Sequence, residues 1–326
     1  MITTKQGKVG KGRIDVDFKS SYSLLPETID LVNAQQYAEL SNEYRTYIGK
    51  DVIYDGTYHE SNNGGEPTYF PTPEEIPGLM GEGTDWQKEI MRNATRNDLN
   101  VRISGGSKEL RYSLGGGVLN TEGLLINTSF NRYSFRGNLN AKLNEAVSLS
   151  WNTNGAVVES NRSNTNTSRF SSGGTERSGA IVKAFMTSPV MAVDETWFDD
   201  EIDDSNGDFG SFNPVIDLTD QYYYKNNFNV NSNVRLDFEI SDKLTFVTRG
   251  GFRYIHDKQD RYWNLNTSQG SRVNGKSLYN SAVIKNLVNE NYFTYNTKVR
   301  GHNINVVAGM SIEKKIREAH RYGFQD

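Results

Sequence analysis

One stretch of the sequence has the spacing of a phosphate-binding loop. The residues GSRVNGKS at 270–277 fit the pattern G-x-x-x-x-G-K-[ST], in which backbone N–H groups and a lysine hold nucleotide phosphates. That chemistry requires a buried strand before the motif and a helix after it. The preceding residues 262–269 are polar and rich in turn formers, and no apolar run ends in an aspartate that could bind magnesium. We therefore interpret the motif as an exposed loop.

Metal binding is the next chemistry to consider, because residues 199–208 are rich in carboxylates. Aligned on an EF-hand with Gly207 at its sixth position, this stretch has Ile202 where the first ligand must be a carboxylate. An irregular calcium site stays open as an alternative to a solvated loop. The histidines are dispersed, without the spacing of metal ligands: His59, His256, His302 and His320. No G-x-S-x-G nucleophile motif occurs, so we expect no cofactor and no enzymatic activity.

Aromatic residues fall into two groups. One group lies in segments that we predict to be long loops, where flat rings could stack on a sugar solute: Trp197, Phe198, Tyr222, Tyr223, Tyr224, Tyr262 and Trp263. Their alternative role is to pack the loops, which have few other large side chains. The other group lies toward predicted strand ends and is expected to anchor the chain at a membrane interface: Tyr22, Tyr133, Trp151 and Tyr254.

Two segments near residues 130–143 and 227–240 alternate between polar and apolar residues, with the period of two that is typical of a strand. Their polar members are candidates to line a water-filled lumen: Arg132, Arg136, Asn138, Asn140, Lys142, Asn231, Asn233, Arg235, Asp237 and Glu239. In the alternative interpretation these side chains pack against a plug and never contact a solute. The sequence does not separate the two roles.

The same alternation recurs and predicts about nine strands of roughly twelve residues, where an ordinary globular strand has about five or six. Four connections between them are tight turns, near residues 106–108, 144–145, 241–243 and 301–302. The connections between these are longer: 25–96, 120–131, 158–226 and 257–289. Short turns at one end and long loops at the other are typical of an outer-membrane barrel, with the loops outside the cell. Short helices are predicted within the loops, at 33–48, 85–92 and 177–187.

Composition agrees with this architecture. The chain has 326 residues and is polar, with a mean hydropathy of -0.67, yet 11% of its residues are aromatic, which disfavours disorder. A formal net charge of -4 without blocks of like charge gives no basis for nucleic-acid binding. The absence of cysteine excludes disulfides and thiolate chemistry. No apolar run approaches the ~18 residues of a membrane helix.

Several stretches resemble the SusC/RagA family of TonB-linked transporters. They occur in family order and cover nearly the whole chain: ITTKQGK at 2–8, GTDWQKEI at 83–90, ISGGSKELRYSLGGGVLNTEGLL at 103–125, FNRYSFRGNLNAKL at 130–143, NPVIDL at 213–218 and VVAGMSIEKK at 306–315. The resemblance implies an all-β fold, an antiparallel transmembrane β-barrel of which these are about nine strands, with long extracellular loops that carry short helices. Residues 1–11 would end a plug domain, and residues 12–326 would form the N-terminal portion of the barrel.

The resemblance also implies partners. A protein of this family sits in the outer-membrane lipid of the cell, works with a SusD-like surface lipoprotein and is driven by TonB to import oligosaccharides or peptides. No signal peptide opens the sequence, so the chain is expected to be a cut piece that lacks most of the plug, the TonB-contacting segment and the later strands.

Two other interpretations of the sequence stay open. One is a small autonomous barrel that acts as a porin or anchor, disfavoured because single-chain bacterial barrels have an even number of strands. The other is a secreted carbohydrate-binding β-sandwich, disfavoured by strand length.

Overall fold

The computed structural model describes residues 9–60, 67–163, 179–195, 197–198 and 211–325. The strands are β1 (Gly10–Ser23), β2 (Thr57–His59), β3 (Thr68–Phe70), β4 (Ala94–Gly106), β5 (Leu110–Glu122), β6 (Ser129–Lys142), β7 (Val147–Asn161), β8 (Trp197–Phe198), β9 (Ser211–Phe212), β10 (Gln221–Ser241), β11 (Leu244–Trp263), β12 (Lys276–Val299) and β13 (His302–Gln325). The helices are α1 (Ala34–Tyr47), α2 (Ile76–Met80), α3 (Trp86–Glu89), α4 (Ala180–Met186) and α5 (Pro214–Thr219), with a 3-10 turn at Ser271–Val273.

Nine strands form one antiparallel sheet in the order β1-β4-β5-β6-β7-β10-β11-β12-β13. Apart from the two small hairpins β2–β3 and β8–β9, every strand pairs with the next one along the chain. The predicted all-β meander of about nine strands is therefore confirmed. Strands β1 and β13 lie at the two edges of the described sheet and do not pair with each other.

The last four strands of the sheet are longer than predicted. Strands β10 to β13 have 20 to 24 residues, against a prediction of roughly twelve. The predicted loop at 257–289 was therefore wrong: β11 and β12 stay paired as far as Trp263 and Lys276, and the connection shrinks to residues 264–275. The alternation signal fails there because the end of β11 is polar or aromatic on both faces and the start of β12 has aliphatic residues on both, such as Val283 and Ile284. The backbone ladder needs no apolar face. Tyr254 consequently lies in the middle of β11 and not toward a strand end.

Successive side chains of a strand point to opposite faces, and the register divides this sheet into two faces. We call the side with Leu99, Val118, Tyr133, Val157 and Phe228 the apolar face, since these residues form one cross-strand row. The opposite side is the polar face. The alternation that was visible in single strands is thus continuous from β4 to β10.

The hydrophobic core lies outside the sheet, in the connections at one end. We call the described parts of the connections 24–93, 123–128, 162–220 and 264–275 the loop cap. Its core residues are Ala34, Ala38, Ile53, Tyr54, Phe70, Ile76, Trp86, Ile90, Ala180, Ala184, Met191 and Leu218. They come from two connections that are distant in sequence, so these long loops fold against each other.

Helix α1 confirms the helix predicted at 33–48. Asn33 caps it: its Oδ1 accepts a hydrogen bond from Gln36 N at 2.9 Å, and Gln36 Oε1 accepts one from Asn33 N at 3.1 Å. This reciprocal pair satisfies two backbone donors that the helix itself cannot pair. Helices α3 and α4 confirm the other two predicted helices. In the described parts of the chain, no helix has the length and apolarity needed to cross a membrane.

Candidate functional site: the polar face of the sheet

The structure places all ten predicted lumen residues on the polar face. Strand β7 lies between β6 and β10 and pairs with both, so it brings two segments about a hundred residues apart into common rows. These rows are Arg136–Asn154–Asn231, Asn138–Asn152–Asn233, Asn140–Ser150–Arg235 and Lys142–Ser148–Asp237. Arg132 and Glu239 lie on the same side by the alternation of their strands. The ten residues therefore belong to one surface.

Amide side chains on this surface bond to one another. Asn138 donates from Nδ2 to Asn152 Oδ1, and its own Oδ1 accepts from Asn140 Nδ2 at 2.9 Å. Asn140 Oδ1 in turn accepts from the Ser150 hydroxyl at 3.0 Å. An amide can donate and accept at once, so such a ladder holds its geometry while outer donors and acceptors stay available to a hydroxyl-rich molecule or to water.

One row of the polar face concentrates positive charge, and we call it the central row. It crosses all nine strands through Asp15, Arg102, Gly115, Arg136, Asn154, Asn231, Arg253, Asn286 and Lys315. Arg102 Nη2 forms an ion pair with Asp15 Oδ2 at 2.7 Å. Within the described chain, Arg136 and Arg253 form no ion pair, and both side chains are exposed. The row thus carries two guanidinium groups that are free to bind an anion.

Of the residues in this row, only Arg136 and Asn231 were predicted from the sequence to be candidate lumen residues. Arg102 alternates with Val101 and Ile103, so its face could be read from the sequence, but nothing in the sequence aligns it with Arg136. Arg253 lies between two aromatic residues, Phe252 and Tyr254, and the same alternation places it on the polar side. Only the strand register shows that these arginines share a row.

A notch interrupts the polar face where Gly251 has no side chain. Its volume is about 280 Å³, and its lining includes Asn231, Asn233, Arg249, Arg253, Asn286 and Glu290. Arg249 Nη1 lies 3.5 Å from Glu290 Oε2. Asn286 Nδ2 donates to Glu313 Oε1 at 2.9 Å, whereas Asn286 Oδ1 is buried and has no hydrogen-bond partner. The notch is therefore lined by one cation, Arg253, that forms no ion pair within the described chain.

Charge is distributed unevenly between this face and the connections. On the polar face of β4 to β7, six charged side chains are basic and one is acidic: Arg96, Asp98, Arg102, Arg111, Arg132, Arg136 and Lys142. The connection 24–93 instead has 13 Asp and Glu against 4 Lys and Arg, and the connection 162–220 has 11 against 4. The chain has a negative net charge overall, so the basic polar face is a local feature.

Five of the seven predicted loop aromatics lie in strands of the main sheet. Tyr222, Tyr223 and Tyr224 lie in β10, and Tyr262 and Trp263 lie in β11, so their assignment to long loops was wrong. The two strands remain paired to their ends, with Tyr222 opposite Tyr262 and their rings stacked at 5.7 Å. Tyr223 and Trp263 lie on the polar face by strand alternation, whereas Tyr222, Tyr224 and Tyr262 lie on the opposite face. For Trp197 and Phe198 only the strand β8 is described, and their side chains lie outside the described residues.

Cations accompany both aromatic residues of the polar face. The Arg261 guanidinium lies 3.9 Å from the centroid of the Tyr223 ring. Lys276 Nζ lies 5.7 Å from the centroid of the Trp263 ring. Both rings are therefore partly occupied by intramolecular cation–π contacts.

The phosphate-loop motif does not have the geometry that its chemistry requires. A short 3-10 turn at Ser271–Val273 leads directly into strand β12, which begins at Lys276. A strand thus occupies the place of the required helix.

The acidic stretch 199–208, the candidate for calcium binding, lies outside the described residues. Among the residues that the structure does describe, no group of three metal-ligating side chains forms.

Buried polar contacts join the separate connections of the loop cap. Trp86 Nε1 donates to Ser188 O at 2.9 Å, which links the connection 24–93 to the connection 162–220. Lys183 and Ser268 both bond to the Asp217 carboxylate, which links α4 and α5 to the connection 264–275. Near the surface of the cap, Asp85 caps α3: its carboxylate accepts a hydrogen bond from Lys88 N and forms an ion pair with Lys88 Nζ at 2.7 Å. Burial raises the pKa of this carboxyl, but the hydrogen bonds and the charge of Lys88, with the hydrogen bond from Gln87 N, together lower it overall.

The sequence was compared with those of known proteins and protein families. No family model matches the sequence. The chain is 24% identical over 318 residues to TonB-dependent receptor P3 of Formosa agariphila, a match that covers 96% of the chain and 28% of the receptor. It is 24% identical over 319 residues to TonB-dependent receptor P39 of the same organism, covering 96% of the chain and 27% of the receptor. It is 25% identical over 141 residues to TonB-dependent receptor SusC of Bacteroides thetaiotaomicron, covering 43% of the chain and 11% of SusC.

The fold is shared with a solved structure. The RagAB peptide importer in its open-open state matches 99% of this chain with a TM-score of 0.70 and 15% identity, over 36% of the matched chain. The chain therefore spans less than a third of the length of the curated receptors and about a third of the RagAB chain. The nine-stranded sheet matches part of that fold. The predicted resemblance is confirmed: the chain is similar in sequence to TonB-dependent receptors, SusC among them, and shares the fold of part of RagAB.

Proposed function

We propose that this chain forms part of the wall of a TonB-dependent transporter in the outer membrane. In this proposal residues 1–11 end the plug domain and residues 12–326 form the N-terminal portion of the barrel. The transporter imports oligosaccharides or peptides together with a SusD-like surface lipoprotein, and it is not an enzyme. The names of the curated relatives and the description of RagAB as a peptide importer support a function in uptake.

The observation that carries the proposal is an apolar face that stays exposed in the described chain. Phe18, Leu99, Val118, Tyr133 and Phe228 lie in one row across the sheet. Each of these five side chains is at least 36% exposed.

Such a face is expected where strands contact lipid, because outer-membrane barrels turn an apolar band outward and a polar surface toward the lumen. A sheet in water buries an apolar face against a second layer of structure. The exposed row therefore supports lipid contact on the apolar face, which leaves the polar face to line the lumen.

The open edges support a larger barrel over a small autonomous one. Strands β1 and β13 leave their outer backbone groups unpaired within the described sheet. In hydrocarbon each unpaired backbone group costs several kcal/mol, so an open sheet does not persist there. Further strands must complete the wall, as the coverage of the longer relatives also suggests.

Orientation is tested by cysteine labelling, since the chain has no cysteine of its own. A single cysteine replaces Tyr47, which is 87% exposed on the loop cap. In a second variant a cysteine replaces Lys108 in the short turn between β4 and β5. Whole cells are treated with a membrane-impermeant thiol reagent before and after rupture of the outer membrane. Labelling of Tyr47→Cys on intact cells, with Lys108→Cys labelled only after rupture, is expected; the reverse pattern would invert the topology.

Transport itself is tested in the native organism. Deletion of the gene that carries this sequence is expected to abolish TonB-dependent uptake of one class of oligosaccharide or peptide, and the intact gene is expected to restore it. Unchanged uptake of every glycan and peptide supplied as the carbon source would contradict the proposal.

A further inference from the structure

We propose that the notch at Gly251 binds the carboxylate or sulfate group of an acidic oligosaccharide during its passage through the lumen. This inference rests on the proposed transport function and names its substrate class. Arg253 supplies the cation, and the amides around it bond to the sugar hydroxyls.

The charges around the notch leave Arg253 available. Arg249 is occupied by Glu290, at 3.5 Å, and Glu313 accepts a hydrogen bond from Asn286. Arg253 has no ion pair within the part of the chain that the structure describes, and its side chain is exposed. A guanidinium presents its donors in a fixed plane that matches a carboxylate or a sulfate.

Amide side chains surround the notch beside Arg253. Asn231 and Asn233 line it from the neighbouring strand β10. An amide can donate and accept hydrogen bonds, so these side chains can bond to sugar hydroxyls. An anionic group beside several hydroxyls is the chemistry of an acidic sugar.

The central row extends this site. Arg136 lies in the same row as Arg253 and likewise forms no ion pair within the described chain. An acidic oligosaccharide that lies along the row would therefore meet a second cation.

The probe pair is hexagalacturonate and its fully methyl-esterified form, which differ in charge and share the same sugar rings. Binding to the purified full-length transporter is measured by calorimetry at two salt concentrations. We expect the acid form to bind more tightly than the ester, with an affinity that falls as salt increases.

Variants then locate the site. Arg253→Gln is expected to weaken binding of the acid about tenfold, the order of magnitude of a lost charged hydrogen bond, with no effect on the ester. Arg253→Lys keeps the charge and is expected to retain part of the affinity. Lys285→Gln removes one positive charge from the neighbouring strand on the opposite face and is expected to change nothing. A heat-modifiable gel shift confirms that each variant forms a barrel.

The outcomes separate this inference from the transport function. Equal affinity for acid and ester, no binding of the acid, or equal losses in Arg253→Gln and Lys285→Gln would overturn the inference. Hexaglutamate bound in place of the sugar, with the same dependence on Arg253, would also overturn it in favour of an acidic peptide. In all these cases TonB-dependent uptake measured in the native organism still decides the transport function by itself.

Discussion

The sheet and the loop cap are stabilised in different ways. The side chains of the sheet are mostly half-buried or exposed on both faces, and the strands are held by backbone ladders that run through all nine of them. The loop cap has a compact core in which Ala34, Ile76, Ile90 and Met191 are fully buried. The cap thus folds by the rules of a water-soluble domain, whereas the sheet depends on the solvent that covers its apolar face.

The cap and the sheet should respond differently to substitutions. Substitutions in the core of the cap should have the same effect in detergent and in lipid, because this core is buried within the protein and contacts neither of them. Substitutions on the apolar face should act through the lipid, so their cost depends on how the protein is solvated.

The largest effect is expected in the cap for Trp86→Ala. Trp86 is 3% exposed, and its Nε1 donates to Ser188 O at 2.9 Å across two connections. Removing the ring leaves a cavity and an unpaired carbonyl, at a cost of about 3–5 kcal/mol. Hydrogen exchange in the cap should rise by the same amount in detergent and lipid, while the sheet amides stay protected. A global loss of barrel resistance to heat would mean that cap and sheet are one cooperative unit.

A somewhat smaller effect is expected in the sheet for Leu236→Arg. Leu236 lies on the apolar face between Leu149 and Thr248, and a lipid-facing arginine near mid-membrane costs about 2–4 kcal/mol. Asn229→Arg, on the polar face of the same strand, is the matched control and should cost little. Folding titrations into liposomes measure both variants. Equal costs would contradict the assignment of the two faces.

The sequence predicts the faces of the sheet well because a strand has a fixed period of two. Each of the ten residues from Arg132 to Glu239 could be assigned a face from its neighbours alone. The sequence could not give the rows, since the partner of Arg136 depends on turn geometry and on how β7 lies between its neighbours. The notch follows from those rows, and Gly251 signals it only once Asn233 and Val288 are known to flank it.

Strand ends and the cap were the least predictable regions, for a related reason. The ends of β10 and β11 have aromatic and charged residues on both faces, so the alternation disappears although pairing continues. In the cap, Trp86 and Ser188 are more than a hundred residues apart, and the hydrogen bond between them follows no local pattern. Only local signals were reliable there, such as Asn33 with Gln36 at the start of α1.

That capping pair gives a smaller prediction for the cap. Asn33→Ala removes the acceptor for Gln36 N and should destabilise α1 by about 0.5–2 kcal/mol, and Asn33→Ser should restore most of the loss. Exchange of the first-turn amides of α1 measures the effect. An equal loss in Asn33→Ser would show that the side chain acts by packing and not as a cap.

The smallest effect concerns pH and the β2–β3 hairpin of the cap. The Thr57 hydroxyl donates to Asp55 Oδ1 at 2.7 Å, and with the His59 ring at 3.0 Å it holds the pKa of this carboxyl below its usual range. A folded-state pKa below the unfolded value stabilises the hairpin above the unfolded pKa of about 3.9, and this stability is lost as the pH falls through the folded pKa. The pair is partly exposed, so the effect should stay within the roughly 0–1 kcal/mol of surface pairs. Exchange of the hairpin amides, corrected for intrinsic pH dependence, should rise below about pH 4, and Asp55→Asn should remove that rise. Persistence of the same rise in Asp55→Asn would assign it to the hairpin's other contacts, among them the bond between Tyr69 and Glu75.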